Sequence, residues 1–151
     1  MGWQVKLRFT RDATFLNTVA NHPSVRPALG TDGESFCDLG VLLALPGAFA
    51  LESDMGGFVF TLTGDGLYEF HTQFLPEGRG RHAMEAALEG CRALFEDYAA
   101  PGLQTYVPHS NVAARWLVRF AGFTETHRDD AQSYWRLTRE EWQARAANRK
   151  G

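Results

Sequence analysis

The segment at residues 67–98 constrains the fold most, because one short turn joins a strand to a long amphipathic helix: LYEFHTQFLPEGRGRHAMEAALEGCRALFEDY. Tyr68, Phe70 and Leu75 predict the strand, and Pro76 ends its ladder because proline has no N–H to donate. Apolar residues then recur at spacings of three and four, which predicts a helix with one buried face. That face comprises Met84, Ala87, Leu88, Cys91, Leu94, Phe95 and Tyr98.

The turn before this helix is a candidate anion site. The first N–H groups of a helix have no partner within it, and the helix dipole adds partial positive charge there. Arg79, Arg81 and His82 add side-chain donors at the same point, so phosphate suits the turn. The alternative is an ordinary strand–helix connection whose arginines are solvated. The sequence contains neither the P-loop motif nor the GxGxxG dinucleotide motif.

Composition and charge limit the classes of function. A chain of 151 residues with 44% hydrophobic residues predicts a single domain over residues 1–151 with a substantial core. A net charge of -3 and a pI near 5.9 argue against nucleic-acid binding. The longest apolar run, residues 39–51, is interrupted by glycine and proline and is too short to cross a membrane.

Two cysteines and five histidines complete the inventory of candidate metal ligands. Their spacing matches no metal or redox motif, so we expect no metal site. The N-terminal residues lack the apolar run of a signal peptide, and a reducing cytoplasmic location follows as an expectation.

The other segments predict the order strand, helices, three strands, helix, strand, helix, two strands and a final helix. The first strand alternates apolar residues from Trp3 to Phe9. A helix between strands four and five implies that these two strands are parallel, whereas the rest of the sheet is mostly antiparallel. The pattern therefore predicts an α/β fold of the α+β type.

Two later helices carry specific expectations. The helix after strand five is predicted to bury Ala113, Trp116, Leu117 and Phe120. Thr138 and Glu141 form a capping box that opens a C-terminal helix at residues 138–151, with Trp142 as its anchor. We expect the end of that helix to fray.

Two segments resemble the GCN5-related N-acetyltransferase superfamily. FLPEGRGRHAMEAAL resembles its acetyl-CoA pyrophosphate loop, Arg/Gln-x-x-Gly-x-Gly/Ala, with Arg79 at the first position. NVAARWLVRFAGF resembles its Asn-x-x-Ala…Gly-Phe segment, with Asn111, Ala114, Gly122 and Phe123 in register. Together with NHPSVRPALG, these segments look most like a phage- or prophage-encoded branch. The resemblance is strong over the second half of the chain and weak over the first.

The resemblance implies a sheet of about six to seven strands in which parallel strands four and five splay apart. It implies acetyl-CoA (coenzyme A) as the cofactor, with its pantetheine arm along strand four. The cofactor-binding residues that it implies are Gln73, Phe74, Leu75, Arg79, Gly80, Arg81, His82, Ala83, Met84 and Asn111.

Three positions depart from the family pattern. His82 and Met84 stand where glycine or alanine is usual, and Val118 stands where a tyrosine commonly protonates the leaving thiolate. A glycine is dispensable at His82 if that residue already lies in the first helical turn, where φ is negative. Val118 leaves two interpretations: the thiolate leaves without an acid, since its pKa is about 8.5 by the cysteine reference, or the protein binds acyl-CoA without catalysis.

Glu69 and His71 are the candidate bases, because they share one face of the central strand. The alternatives are a surface carboxylate and a structural histidine. The acceptor is expected to enter beside residues 24–36 and 128–131, where Arg26 and Asp32 are the candidate substrate-binding residues. The alternative is that residues 24–36 form a mere surface excursion with no role in binding.

Two functions therefore remain open. The first is an acetyl-CoA-dependent N-acetyltransferase acting on an amine of a small molecule or protein, with a homodimer as a possible assembly. The second is a non-catalytic acyl-CoA-binding or phage-associated structural module. The location would be the host cytoplasm if the gene is carried by a phage.

Overall fold

The structure is a computed structural model that describes residues 4–29 and 35–150, and within them seven strands form one sheet. The strand order is β1-β2-β3-β4-β5-β7-β6. The strands are β1 (Arg8–Thr10), β2 (Phe49–Ser53), β3 (Gly56–Leu62), β4 (Tyr68–Phe74), β5 (Gly102–Pro108), β6 (Thr124–Arg128) and β7 (Gln132–Thr138). The α-helices are α1 (Thr14–Ala20), α2 (Gly40–Leu43), α3 (Arg81–Arg92), α4 (Val112–Ala121) and α5 (Arg139–Lys150). This architecture confirms the predicted mixed, mostly antiparallel fold.

The pair β4–β5 is parallel, and every other pair of strands is antiparallel among the described residues. Only Tyr68 with Leu103 and Glu69 with Gln104 pair across β4 and β5. One step further, Thr105 Oγ1 donates a hydrogen bond to the Phe70 carbonyl at 2.9 Å. Beyond that contact the two strands diverge, as the resemblance implied.

Helices cover the sheet on both faces. The larger core lies between the sheet and helices α3, α4 and α5, and it holds most of the buried aromatic residues. The smaller core lies under α1 and α2, where Leu16, Leu43, Ala50 and Val59 are buried. Successive side chains of a strand therefore pack against different helical layers, as expected of a sheet with helices on both faces.

The first strand is shorter than predicted. Residues 4–7 precede β1 and are not part of the sheet, because the N–H of Gln4 donates to Glu85 Oε1 at 2.8 Å instead of to a neighbouring strand. Val5 and Leu7 still pack against the larger core. Trp3 lies outside the described residues.

Helix α3 buries small residues where it meets the sheet: Ala83, Ala86, Ala87 and Gly90. The small stripe lets the helix approach closely, since a Cβ at Gly90 would already lie 3.5 Å from the Phe58 ring. Met84 and Leu88 are half-buried, so the predicted buried face was only partly right. A π-helical turn at Ala93–Asp97 follows α3, and Tyr98 beyond it is 38% exposed.

The predicted buried face of α4 was only partly right, since Leu117 packs against the larger core and Phe120 is half-buried. Val118 and Ala121 face the core, whereas Ala113 and Trp116 are exposed. Asn111 caps this helix through its side-chain oxygen, which accepts the Ala114 N–H at 3.1 Å. Ala113 and Trp116 therefore face something other than the protein interior.

The capping box of α5 is confirmed. The Thr138 N–H donates to Glu141 Oε1 at 2.8 Å, and the Glu141 N–H donates to Thr138 Oγ1 at 3.1 Å. Trp142 is 3% exposed and stacks on Phe95 with ring centroids 5.9 Å apart. Trp142 therefore anchors the helix, as predicted.

The two tryptophans at positions 142 and 116 test these placements. We expect Trp142→Ala to lower the free energy of unfolding by about 3–5 kcal/mol, because it empties a buried site. Trp116→Ala is the matched control and should change it by no more than about 1 kcal/mol, since the indole is 52% exposed. Urea unfolding measures both, and equal losses would contradict the orientation of α4.

Candidate functional site

A cleft of about 470 Å³ opens where β4 and β5 diverge. It lies between β4, the turn before α3, the start of α3, the exposed stripe of α4 and the segment after α1. Its lining residues are Ser24, Val25, Leu29, Thr72, Phe74, Arg79, Gly80, Ala83, Met84, Asn111, Ala113, Ala114, Trp116 and Leu117. The stripe of α4 that the sequence assigned to the core thus forms one wall of this cleft.

The backbone of β4 presents alternate residues to the cleft. The Leu75 N–H donates to the Met55 carbonyl at 2.9 Å, and Thr63 N–H donates to the Leu67 carbonyl at 2.8 Å, which fixes the register with β3. Because hydrogen-bonded pairs alternate in an antiparallel ladder, Glu69, His71, Gln73 and Leu75 direct their backbone groups to β3. Thr72 and Phe74 direct theirs to the side where β5 has moved away.

This alternation corrects part of the predicted cofactor set. Gln73 and Leu75 have their backbone groups engaged with β3, so only Phe74 of the three predicted residues offers its amide to the cleft. Thr72 does so as well, although the sequence did not single it out. A two-residue alternation in a hydrogen-bond ladder is the signal that identifies it, once the register is known.

The turn before α3 presents the start of a helix to the same cleft. Gly80 has φ of 74°, and a Cβ on it would meet no heavy atom within 4 Å. Among the described residues, the N–H groups of residues 80–83 donate to no backbone carbonyl. Free amides, a left-handed glycine and open space together make a cradle that suits an anionic group.

Side chains around this turn have separate roles. Arg79 NH2 donates to the Ser24 carbonyl at 2.8 Å and lines the cleft. Arg81 is 88% exposed at its side chain and pairs with Glu85 at 2.9 Å, outside the cleft. The predicted contribution of the Arg81 side chain to an anion site therefore does not fit its position.

His82 lies in the first turn of α3 with negative φ, so a glycine is not needed there. Its ring nitrogen Nε2 is 2.8 Å from Ser53 Oγ, and the hydroxyl of Ser53 donates to the Gly56 carbonyl at 3.0 Å. Since a hydroxyl has one proton, His82 Nε2–H is the donor to Ser53. The ring thus ties α3 to the β2–β3 turn, and only the amide of His82 is left for an anion.

Val118 is 5% exposed and faces the larger core. It borders a void of about 20 Å³ that is lined by apolar side chains and is too small for a ligand. Helix α4 therefore contributes no ionisable hydroxyl to the cleft. Asn111 lines the cleft while its side chain caps α4, and its contact with a cofactor stays a prediction.

The side chains of Glu69 and His71 lie on the face of β4 opposite to those of Thr72 and Phe74. Glu69 Oε2 and His71 Nε2 are 3.5 Å apart. Burial lowers the pKa of the His71 ring and raises the pKa of the Glu69 carboxyl. Ionised Glu69 opposes the effect of burial on His71, because a nearby negative charge favours the protonated ring. The pair stands beside the point where β5 leaves β4, so it can accept a proton from a group that enters there.

Of the two predicted acceptor residues, the structure describes only Arg26. Arg26 is 7% exposed, and its guanidinium donates to the Ser35 carbonyl at 3.1 Å and 3.3 Å. It therefore positions the segment that follows α1, part of which forms a 3-10 helix at Arg26–Leu29. Asp32 lies outside the described residues. Within the described residues, no group of three or more potential metal ligands occurs and no helix is long and apolar enough to cross a membrane.

No protein-family profile matches the chain, and no curated protein matches its sequence. Solved structures do match its fold. The aminoglycoside acetyltransferase AAC(6')-Ib, solved with ribostamycin and coenzyme A, has a TM-score of 0.75 and 17% identity, with 93% of this chain and 97% of that chain covered.

Two further structures agree. Spermidine N-acetyltransferase from Vibrio cholerae, in complex with CoA and spermine, has a TM-score of 0.70 and 16% identity over 91% of this chain and 98% of that one. An acetyltransferase of the GNAT family from Bacillus anthracis has a TM-score of 0.68 and 14% identity over 93% and 99%. The chain thus has the fold of the GCN5-related N-acetyltransferases.

The titration of His71 tests the geometry of the pair. We expect its pKa to lie below the usual value of about 6.5, because burial disfavours the charged ring. In Glu69→Gln the pKa of His71 should fall further, since the neighbouring negative charge is removed. NMR titration of the ring carbon measures both, and an unchanged pKa in the variant would show that the two groups do not interact.

Proposed function

We propose that this protein is an acetyl-CoA-dependent N-acetyltransferase that transfers an acetyl group to an amine. The observation that carries the proposal is the divergence of β4 and β5, with free N–H groups on one side and the Glu69–His71 pair on the other. Two of the solved structures of similar fold contain coenzyme A together with an amine acceptor, which supports the same pairing of ligands here.

The cleft fits the cofactor by its own chemistry. The free amides at the start of α3 and the Arg79 guanidinium suit a pyrophosphate, and the outward amides of Thr72 and Phe74 suit an extended arm that pairs with β4. Leu117, Ala113 and the exposed indole of Trp116 offer apolar contact along the α4 wall. When bound, acetyl-CoA supplies the thioester that carries the acyl group.

The residues of the chain then divide the work of acyl transfer. The N–H of Thr72 or Phe74 donates to the acyl oxygen, where negative charge develops. His71 takes the proton of the incoming amine as its nitrogen bonds to the acyl carbon. The C–S bond would break as the new C–N bond forms, with the electron pair staying on sulfur. His71 would then release the amine proton to solvent, and the thiolate would be protonated from the same solvent pool, so the transfer balances without an acid on α4.

Val118 does not prevent this chemistry. A thiolate is a stable leaving group, with a pKa of about 8.5 by the cysteine reference, so turnover does not require an acid on α4. The non-catalytic acyl-CoA-binding or phage-associated module stays the alternative, and it differs from the enzyme in a single measurable way, the absence of turnover.

Several finer expectations stay predictions. They are the phage- or prophage-encoded branch, the single domain over residues 1–151, the homodimer and the cytoplasmic location.

Two arginines separate specific cofactor binding from nonspecific attraction. We expect Arg79→Ala to weaken acetyl-CoA binding by about 1.5–3 kcal/mol, the size of a hydrogen bond to a charged group. Arg81→Ala removes the same charge two residues away and should leave affinity nearly unchanged, because that side chain points to solvent. Calorimetric titration measures both. No binding by the unaltered protein at millimolar acetyl-CoA would rule out the proposed cofactor.

The role of His71 is tested by turnover. With acetyl-CoA and a panel of amines, release of free thiol should be detected, and His71→Ala should lower kcat while acetyl-CoA affinity stays nearly constant. Because the pKa of His71 lies below its usual value, kcat/KM for a weakly basic amine that stays neutral over this range should be flat from about pH 6.5 to 8 and fall at lower pH. Full activity of His71→Ala over that range would assign the base to Glu69 or to water.

A further inference from the structure

The turn between β2 and β3 contacts the loop that leads into α3 at two separate points. At the start of this loop, the Leu75 N–H donates to the Met55 carbonyl at 2.9 Å. At its end, in the first turn of α3, His82 Nε2 lies 2.8 Å from Ser53 Oγ. One short turn therefore holds both ends of residues 75–82, the segment that leads into the free amides at the start of α3.

Between these two anchors, the loop packs directly on the β2–β3 turn. Gly78 lies against Met55, and a Cβ at Gly78 would collide with Met55 Cβ. The Gly78 N–H donates to the Leu75 carbonyl at 2.9 Å, and the Arg79 N–H donates to the Pro76 carbonyl at 3.3 Å. The path of the loop is thus fixed by its own hydrogen bonds and by its close contact with the turn.

Ser53 is a well-defined partner for the His82 ring. It is 2% exposed, its hydroxyl donates to the Gly56 carbonyl at 3.0 Å, and its oxygen accepts the Met55 N–H at 3.2 Å. These two bonds fix the direction of the hydroxyl and leave one further acceptor position on its oxygen. The His82 Nε2–H takes that position, so the ring is held by a buried group whose own geometry is fixed.

Aromatic packing holds another edge of the same ring. The rings of His82 and Phe74 meet edge to face, with centroids 5.9 Å apart and planes at 73°. Phe74 is 6% exposed, and it belongs both to β4 and to the lining of the cleft. His82 therefore joins the first turn of α3 to β4 as well as to the end of β2.

The orientation of this first turn matters because its amides must converge on one anionic group, and a hydrogen bond weakens steeply as its angle departs from linearity. Gly80 occupies the N-cap position, and no side chain in the described part of the chain caps α3 there. A glycine at position 82, as the resemblance expects, would leave the turn without the tie to Ser53.

We propose that His82 is a positioning residue for the cofactor, whose hydrogen bond to Ser53 aims the amides of residues 80–83 at the pyrophosphate of acetyl-CoA. The proposal rests on the proposed function, which supplies the pyrophosphate. The ring itself does not bond to the phosphate, because Nε2–H is engaged by Ser53 and Nδ1 of the neutral ring is an acceptor.

Two acyl donors that differ in the pyrophosphate test this role. Acetyl-CoA carries the pyrophosphate, whereas S-acetylpantetheine ends before it. We expect the ratio of their kcat/KM values to fall about tenfold in His82→Phe, which keeps a ring beside Phe74 and loses the N–H donor. His82→Gln places an N–H donor the same number of bonds from the backbone and should keep most of the ratio.

Two results of that comparison would overturn the proposal. One is an equal loss of efficiency with both donors, which is the effect of a general structural role. The other is a His82→Gln variant that prefers acetyl-CoA no more than His82→Phe does.

Ser53 provides the complementary variant. Ser53→Ala removes the acceptor and keeps the His82 ring, so the ratio should fall as it does in His82→Phe. The double variant should lose about tenfold and not about a hundredfold, because both changes break one bond. A ring that bonded to the phosphate directly would keep the ratio in Ser53→Ala, and that result would contradict the proposal. If Ser53→Ala does not fold, the two His82 variants decide alone.

Inorganic pyrophosphate separates this proposal from the proposed function. NMR titration of the amide signals of residues 80–83 should show about tenfold weaker pyrophosphate binding in His82→Phe than in His82→Gln. If that difference holds while acetyl-CoA is not turned over, the proposed function fails and the positioning role stands. If acetyl-CoA is turned over and the two variants do not differ, the proposed function stands and the role of His82 is wrong. If the unaltered protein binds neither ligand, both are wrong.

Discussion

The divergence of β4 from β5 after two paired residues is the constraint on which the rest of the site depends. Had the two strands stayed paired, the amides of Thr72 and Phe74 would be consumed by β5 and no cleft would open. Thr105 marks the last contact through its bond to the Phe70 carbonyl. Because the strands part there, one face of β4 can serve a cofactor while the other brings Glu69 and His71 to the opening.

The apolar residues of helix α4 contribute to both the core and the cleft. Its apolar residues divide between two directions, with Val118 and Ala121 in the core and Trp116 and Leu117 along the cleft. Trp116 is exposed on its helix and lies in the wall of the cleft between β4 and β5. Val118, where the resemblance places a tyrosine, faces the core and does not reach the cleft.

Much of the fold followed from local patterns, and much of the site did not. Three features could be predicted because each depends on residues close in sequence: the hydrophobic alternation, the capping box at Thr138 and the parallel strand pair implied by α3. Helical periodicity marks apolar positions without telling whether a core or a cleft lies opposite, so Trp116 was misplaced. Arg26 and the ring of His82 bond to Ser35 and Ser53, partners that only the tertiary structure reveals.

Site-resolved hydrogen exchange of the β4 amides tests the central claim most directly. If the cofactor arm pairs with the open edge of β4, saturating acetyl-CoA should slow exchange at Thr72 and Phe74. The amide of Leu75 already bonds to Met55 and should change far less. Protection confined to Thr72 and Phe74 is the result that this account predicts. Unchanged exchange at both amides under saturating acetyl-CoA would contradict it.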